Sequence, residues 1–258
     1  MRIEVGPVAR SRSLAALVCA CLLLTGCPAR GGSATAPVLH GCAVPSRFAG
    51  QQVDRLPITG KRVALTFDAG ANADGVPSIR ATLRRTKVAA TFFLTGAFVQ
   101  RYPATSRRLA GRDLVGNHTM THPDLTTLTD RRVTAQVRRA EATIRATTGE
   151  DPRRFFRFPY GARTDHLIGL VNGLCYVPFG WTVDTLGWEG TSGGQTEATV
   201  VARVLAAAEP GAIVLMHVGS NPDDGTTLDA DALPTIIARL RDRGYHFVRL
   251  DRVMSADP

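Results

Sequence analysis

From Lys61 onward, short apolar runs alternate with longer segments of helical periodicity, and this alternation restricts the fold more than any other feature. The runs with strand character are residues 62–67, 88–96, 113–119, 155–160, 175–184, 211–217 and 245–250. The helical segments between them are residues 75–86, 103–112, 129–149, 165–173, 196–208 and 228–244. Repeated strand–helix alternation predicts a parallel sheet covered by helices. The pattern alone is compatible with an open doubly wound sheet and with a closed barrel.

Two ligand classes are disfavoured by the sequence. No glycine-rich phosphate loop follows the first predicted strand, so a nucleotide site is not expected. Removal of residues 1–26 takes away three arginines and one glutamate, so the net charge falls from +9 to +7. These residues are Arg2, Arg10, Arg12 and Glu4. Most of the remaining arginines lie on helical stretches without interleaved aromatic residues, which indicates solvated helix faces and not a nucleic-acid groove. Attraction to an anionic wall or membrane surface is consistent with this charge.

The first 26 residues have the pattern of a secretory signal peptide. Arg10 and Arg12 precede an apolar run over residues 14–24, which is too short to span a bilayer comfortably. The run ends in the sequence LTGC, which resembles a bacterial lipoprotein cleavage box with Cys27 as the lipidated N-terminus. The alternative is an ordinary signal peptide that contains a cysteine. A lipid anchor at Cys27 places the protein on the outer face of the cell membrane.

The mature chain divides into a linker and one domain. Residues 27–60 are predicted to form a flexible tether up to about Leu39, followed by an irregular lead-in, because this segment is rich in Gly, Ala, Ser and Pro. Residues 61–253 form the single catalytic domain. Cys42 and Cys175 remain after removal of the signal and lipidation of Cys27, and a disulfide between them is compatible with an oxidising exterior.

Titratable residues follow several of the predicted strands directly. They are Asp68, the pair His118 and His122, Arg157, Asp184 and His217. In parallel α/β folds the functional groups lie at the carboxyl ends of the strands. The sequence therefore predicts that these side chains share one rim of the domain.

The histidines allow two interpretations each. In a helical turn, His118 and His122 would lie on one face and hold one metal ion, although two unrelated polar histidines fit the spacing as well. His217 ends an apolar strand and is either a structural histidine or a general acid, since imidazole titrates near neutral pH. Asp184 is then its natural orienting partner, or alternatively a helix cap or turn former.

Aromatic residues and a rigid turn complete the predicted rim. Pro159 restricts the backbone after Arg157, and an N–H held by such a turn is a suitable oxyanion donor. Trp181 and Trp188 flank Asp184 in the sequence. Tryptophan usually packs in a core, but we expect Trp188 to stack on a sugar ring.

Five motifs in fixed order resemble the polysaccharide deacetylase family, also called carbohydrate esterase family 4 or the NodB homology domain. They are TFDAG, HTMTHP, RFPYG, DTLGW and LMH, and the resemblance covers residues 61–253. It implies an α/β fold, a distorted (β/α)7-type barrel. It also implies a hydrolase that removes N-acetyl groups from peptidoglycan or a chitin-like glycan, with a divalent metal, usually zinc.

The resemblance also implies a role for each matching residue. Asp68 is the general base, Arg157 holds it in position, and His118 and His122 bind the metal. Asp184 tunes His217, which protonates the leaving amine. The backbone N–H of Tyr160 contributes to the oxyanion hole, and Trp188 lines the substrate groove.

One position departs from the family pattern. The usual first motif is TFDDG, whose second aspartate is the third metal ligand, and this chain has Ala69 there. Asp74 or Asn72 could supply oxygen instead, the histidines could bind metal with water or with Asp68, or the site could be metal-free. A catalytically inactive carbohydrate-binding homologue and an O-acetyl esterase are therefore the alternatives to a deacetylase.

Overall fold

The computed structural model describes residues 44–254. The strands are β1 Arg62–Ala69, β2 Thr91–Leu94, β3 Leu114–Asn117, β4 Arg154–Phe156, β5 Tyr176–Pro178, β6 Val183–Asp184, β7 Ile213–His217 and β8 His246–Phe247. The α-helices are α1 Val76–Thr86, α2 Gly96–Arg101, α3 Pro103–Ala110, α4 Asp130–Thr148, α5 Asp165–Gly173, α6 Glu197–Ala206 and α7 Leu228–Asp242. Short 3₁₀ turns include Pro159–Gly161 and Gly187–Glu189.

All of these strands pair in parallel within one curled sheet of order β5-β4-β3-β2-β1-β7-β6, and β8 pairs with the start of β1. β5 and β6 are the two ends of this path. The frame is therefore the predicted single α/β domain of the distorted (β/α)7-barrel type, and not a doubly wound sheet.

The lead-in segment lies between the two ends of the sheet. Val53 forms a parallel bridge with Phe179, just beyond β5, and Arg55 forms an antiparallel bridge with Ala212, just before β7. Leu56 donates its N–H to the carbonyl of Gly211 at 2.8 Å. The irregular lead-in expected before residue 61 is thus hydrogen-bonded into the domain.

Apolar clusters cover both faces of the sheet. The cluster that contains Phe48, Val53 and Leu56 of the lead-in also contains sheet residues such as Phe93 and Ile213. The other two clusters lie under the helices, one mainly under α1 and α7 and one under α4 and α5. Side chains alternate across a strand, so each strand contributes to the interior and to the helix layer.

The sequence explains the clearest helix. Val133, Val137 and Ile144 of α4 recur at helical spacing and are fully buried. Gly149 follows with φ 79°, the left-handed conformation that ends helices and that glycine adopts without strain.

The strands predicted over residues 155–160 and 245–250 are shorter in the structure, where they form only β4 and β8. Two other elements differ more. The strand predicted over residues 88–96 ends at Leu94, because the Thr95 hydroxyl accepts the Phe98 N–H at 3.0 Å and caps the unpredicted helix α2. The strand predicted over residues 175–184 is split into β5 and β6. Between them, Phe179 bridges to Val53 and Gly180 donates its N–H to the Val53 carbonyl at 3.0 Å, so this stretch pairs with the lead-in.

Several expectations concern residues beyond this range. The signal peptide, Cys27 and Cys42 lie outside the described residues. Cys175 is disulfide-bonded, and its pairing with Cys42 stays a prediction. Within residues 44–254, no helix is long and apolar enough to cross a bilayer.

Candidate active site

The predicted functional residues meet at the carboxyl ends of the strands. Asp68 of β1 lies opposite His217 of β7 in the parallel register. His118 directly follows β3, and its backbone N–H donates a hydrogen bond to the carbonyl of Leu94 in β2 at 3.0 Å. Arg157 directly follows β4, and Asp184 ends β6. One end of the sheet therefore carries all of them.

A cavity of about 590 Å³ opens at this end. The predicted residues that line it are Asp68, His118, His122, Tyr160, Asp184, Trp188 and His217, joined by others such as Trp181 and Thr95. The volume falls within the roughly 300–1,000 Å³ of small-ligand sites. Arg157 is fully buried and lies behind Asp68.

A buried ion pair fixes Asp68. Arg157 Nη1 donates to Asp68 Oδ1 at 2.8 Å, while its other nitrogens donate to the carbonyls of Phe179 and Gly180 at 3.1 and 3.0 Å. Burial on its own raises the pKa of Asp68, but the charges of Arg157, His118 and His217 together lower that pKa below its ordinary value. Asp68 is therefore an ionised carboxylate held in one orientation.

His118 is oriented from behind. Its Nδ1 donates to the carbonyl oxygen of Arg157 at 2.9 Å, which leaves Nε2 facing Asp68 Oδ2 at 3.3 Å. Burial lowers the pKa of His118 more than the Asp68 carboxylate raises it. The ring is therefore a neutral imidazole with its Nε2 lone pair directed into the cavity.

The second histidine reaches the site through a loop and not through the helical turn considered above. Thr119 and His122 have φ values of 69° and 59°. Gln136 of α4 accepts the N–H groups of Met120 and Thr121 at 2.9 and 3.0 Å and holds the loop. The His118 and His122 rings lie 4.6 Å apart, centroid to centroid. Burial, followed by the neighbouring His118, lowers the pKa of His122 to about 4.

The carboxylate next to His217 belongs to Asp229, and this corrects the prediction that Asp184 orients His217. Asp184 Oδ1 accepts the Leu186 N–H at 3.0 Å. Asp229 Oδ2 accepts the His217 N–H at 2.8 Å and lies 3.6 Å from His217 Nδ1. Burial lowers the pKa of His217, but Asp229, Asp68 and Asp184 outweigh burial and raise it.

Sequence reasoning missed Asp229 because its pattern is ambiguous. An aspartate in the first turn of α7 is what an ordinary helix start shows. No spacing in the sequence relates it to β7.

Two exposed aromatic side chains flank the cavity. Tyr160 and Trp188 are 70% and 48% exposed, the highest values among the large hydrophobic residues of the described range. Tyr160 has φ 59°, which is uncommon for a residue with a side chain and indicates a backbone shaped for function. The Trp188 ring lies 6.3 Å from the His217 ring. Both are placed to contact a ligand that enters the cavity.

His118 and His122 suit a divalent metal as two nitrogen donors. The Arg157 carbonyl behind His118 is the kind of outer contact that orients metal-binding imidazoles. Ala69 offers no donor and does not line the cavity. Among the described residues, no cluster of three His, Cys, Asp or Glu forms a metal site.

The loop after β1 does not supply the missing ligand. Asn72 Oδ1 accepts the Ser220 N–H at 2.8 Å, and Asp74 Oδ2 accepts the Ser220 hydroxyl at 2.6 Å. Neither residue lines the cavity. The suggestion that Asp74 or Asn72 replaces the aspartate absent at position 69 is therefore wrong for this conformation.

Comparison with known proteins identifies relatives of the whole domain. Residues 56–178 match the family profile described as Polysaccharide deacetylase. The chain is 32% identical over 195 residues to the peptidoglycan-N-acetylglucosamine deacetylase of Bacillus cereus. The aligned region covers 75% of this chain and 68% of that protein. This chain is 37% identical over 191 residues to a chitooligosaccharide deacetylase of Sinorhizobium fredii, with coverage of 71% and 87%.

A solved structure shows the same fold. A protein from Bacillus anthracis described as a CE4 family pseudoenzyme superposes with a TM-score of 0.72 and 28% identity, covering 80% of this chain and 70% of that one. Together with the ordered motifs at the rim of one parallel sheet, the identities and their coverage establish the relationship. This chain belongs to the polysaccharide deacetylase family.

Proposed function

We propose that this protein hydrolyses N-acetyl groups on a cell-wall or related glycan, either peptidoglycan or a chitin-like polymer. The observation that supports this most is the convergence of the Asp68–Arg157 pair, the two imidazoles of His118 and His122, and His217 on one cavity. The relatives named for peptidoglycan and chitooligosaccharide deacetylation favour this substrate class.

Asp68 and His217 supply the two proton transfers in this proposal. Asp68 accepts a proton from the attacking water, and the new C–O bond forms at the N-acetyl carbonyl. His217 then gives its Nε2 proton to the nitrogen as the C–N bond breaks, so that acetate and a free amine leave. The raised pKa of His217 favours its protonated form, and the lowered pKa of Asp68 favours its carboxylate form, as the two transfers require.

The neighbouring groups bind and orient. Tyr160 donates its backbone N–H to the developing oxyanion in this proposal, and the uncommon backbone conformation at this residue supports a functional role. Trp188 and the ring of Tyr160 provide faces on which a sugar can stack. A divalent ion, usually zinc in this family, held by His118 and His122 supplies Lewis-acid polarisation of the substrate carbonyl when bound.

Acetate release tests the proposal. The purified domain is incubated with peptidoglycan and with chitin oligomers, with and without added zinc or cobalt, beside a His217→Ala variant. We expect acetate and free amine from the wild type and a loss of about 10²–10⁴-fold in the variant. No acetate from either substrate under any metal would contradict the proposal.

A second candidate function follows from Ala69. With one expected carboxylate ligand absent, the protein could retain the groove but not turnover, as a carbohydrate-binding homologue. Glycan binding measured by calorimetry, with no product and no change in Asp68→Ala, supports that alternative. Cleavage of acetylated xylan without cleavage of chitin oligomers identifies an O-acetyl esterase instead.

We also propose that the mature protein is a lipoprotein on the outer face of the cell membrane, because LTGC precedes the tether. Metabolic labelling with palmitate and detergent phase partition test this. We expect label and detergent-phase partition for the wild type, and neither for Cys27→Ala.

A further inference from the structure

We propose that Asp229, on α7, is the positioning residue that orients His217 and stabilises its protonated form. This inference deepens the proposed function and rests on His217 acting as the acid. It concerns a residue outside the five motifs, on a helix that contributes no motif residue.

The contacts of Asp229 are those of a fixed carboxylate. It is 3% exposed. Its Oδ1 accepts the Thr185 hydroxyl at 2.6 Å, and its Oδ2 accepts the His217 N–H at 2.8 Å. Both oxygens are thus held, and the same Oδ2 faces the imidazole.

The imidazole of His217 has a buried nitrogen without a hydrogen bond. This Nδ1 atom has no hydrogen-bond partner within residues 44–254. Asp229 Oδ2 lies 3.6 Å from it, slightly beyond hydrogen-bond distance. Since catalytic hydrogen bonds often shorten when substrate binds, a small ring movement completes this one. The Nδ1 proton then faces Asp229, and Nε2 is the nitrogen that faces the cavity.

Gly187 provides the space that Asp229 occupies. A Cβ on Gly187 would lie 2.4 Å from Asp229 Oδ1 and 2.6 Å from its Cγ, well inside van der Waals contact. Any side chain at position 187 would therefore displace the carboxylate. The glycine in the DTLGW motif and the aspartate on α7 form one arrangement, in which a single carboxylate fits beside His217.

Other titratable groups also face His217. The carboxylates are Asp229 from α7, Asp68 from β1 and Asp184 from β6, and the imidazoles are His118 and His122 from the loop after β3. Of the carboxylates, Asp229 is the one in contact with His217.

The test removes the charge and keeps the shape. Asp229→Asn can still accept the His217 N–H, and its amide can donate to the Thr185 hydroxyl. Asp231→Asn is the matched control, because Asp231 lies in the same first turn, is exposed, and its carboxylate accepts the Thr227 hydroxyl at 3.3–3.4 Å. Both variants lose one charge at the start of α7.

We expect Asp229→Asn to lower kcat about 10–100-fold with little change in KM, and Asp231→Asn to change neither. The alkaline limb of the kcat profile should move to lower pH, because His217 must be protonated and loses the charge that raises its pKa. NMR titration of the His217 ring should show that pKa falling by about one unit or more.

A second variant tests the shared space. Gly187→Asp combined with Asp229→Ala brings a carboxylate to the same place from the opposite side. We expect it to recover at least about tenfold of the kcat lost in Asp229→Ala alone.

The readouts separate this inference from the proposed function. If the wild type releases no acetate but the His217 pKa falls in Asp229→Asn and not in Asp231→Asn, the positioning role holds and the deacetylase proposal fails. An unchanged His217 pKa, or a loss of activity that merely follows a loss of thermal stability without a shift of the alkaline limb, overturns the positioning role.

Discussion

Arg157 illustrates how one buried charge organises a site. Its guanidinium is fully buried, and its hydrogen bonds join Asp68 to the backbone beyond β5. The Phe93 ring lies beneath it, 4.2 Å from the guanidinium carbon to the ring centroid. A charge this deep is tolerated only with a partner and satisfied donors.

Replacement of Arg157 by leucine should therefore destabilise the domain. Asp68 would remain buried without its partner, which typically costs about 3–5 kcal/mol of unfolding free energy. The control is Arg163→Leu, since Arg163 and Asp54 form an exposed pair at 3.6 Å whose loss should cost less than about 1 kcal/mol. Urea denaturation measures both, and equal effects would contradict this account of the pair.

Ala69 is the residue at which this chain departs from its family. Its methyl group is fully buried. Its carbonyl accepts the Thr95 N–H at 3.0 Å, so the backbone is fixed next to the cavity. The backbone at position 69 would therefore hold the first atoms of a longer side chain in a defined place.

We expect Ala69→Asp to increase zinc affinity by about tenfold or more, because a third protein ligand completes the usual catalytic zinc set. Metal content after dialysis and calorimetric titration measure the gain. Ala69→Asn is the matched control, with the same shape and no charge. Equal zinc binding by wild type and both variants would mean that position 69 does not reach the metal.

Among single residues, the sequence identified the site residues that are titratable and also lie at the end of a predicted strand. Asp68 and His217 were found because each ends a recognisable apolar strand. Asp229 was not found, since its proximity to His217 depends on how α7 packs on β7, and no local pattern encodes that packing.

Among the elements, β3 shows how tightly the sheet is packed near the site. Gly116 lies in β3 between Phe93 of β2 and the backbone of β4. A Cβ there would lie 2.6 Å from the Phe93 ring and 3.0 Å from the Phe155 carbonyl oxygen. The strand that carries His118 thus depends on a glycine at this position.

Gly116→Ala should lower the unfolding free energy by about 1–3 kcal/mol through overpacking. Gly169→Ala in α5 is the contrasting control, because a Cβ there meets no atom within 4 Å. Alanine in a helix interior should stabilise by about 0.5–1 kcal/mol. The same sign for both changes in thermal melts would contradict the packing argument.

Helices and strands were predictable where periodicity extended over several turns or a long apolar run. The two larger discrepancies have causes that compete with periodicity, one local and one distant in sequence. Thr95 ends β2 by capping α2, and the hydrogen bond from the Gly180 N–H to the Val53 carbonyl ties the run after β5 to the lead-in. The second cause involves a partner more than a hundred residues away, which no window of sequence contains.

At the scale of the whole domain, the lead-in is packed and hydrogen-bonded against the sheet. Phe48, Val53 and Leu56 are buried in a cluster with residues of the sheet. Val53 bridges to Phe179 just beyond β5, and Arg55 bridges to Ala212 just before β7. A segment that the sequence presents as an irregular linker is therefore part of the core.

Deletion up to Leu56 should destabilise the domain by more than about 3 kcal/mol, since burial of each such side chain contributes about 1.5–3 kcal/mol. The control begins at Gly41 and keeps Cys42. Thermal melts of the two purified chains measure the difference. Equal melting temperatures would show that the lead-in does not stabilise the fold.

The sequence by itself determined the parallel α/β frame and the rim on which the motif residues lie, because hydrophobic periodicity and strand ends are local properties. It also determined that Ala69 provides no ligand. Only the tertiary structure decided that Asp229 and not Asp184 contacts His217, that Asn72 and Asp74 are bonded to Ser220, and that the lead-in bridges the sheet. These contacts join segments distant in sequence, and packing of the whole chain sets their distances.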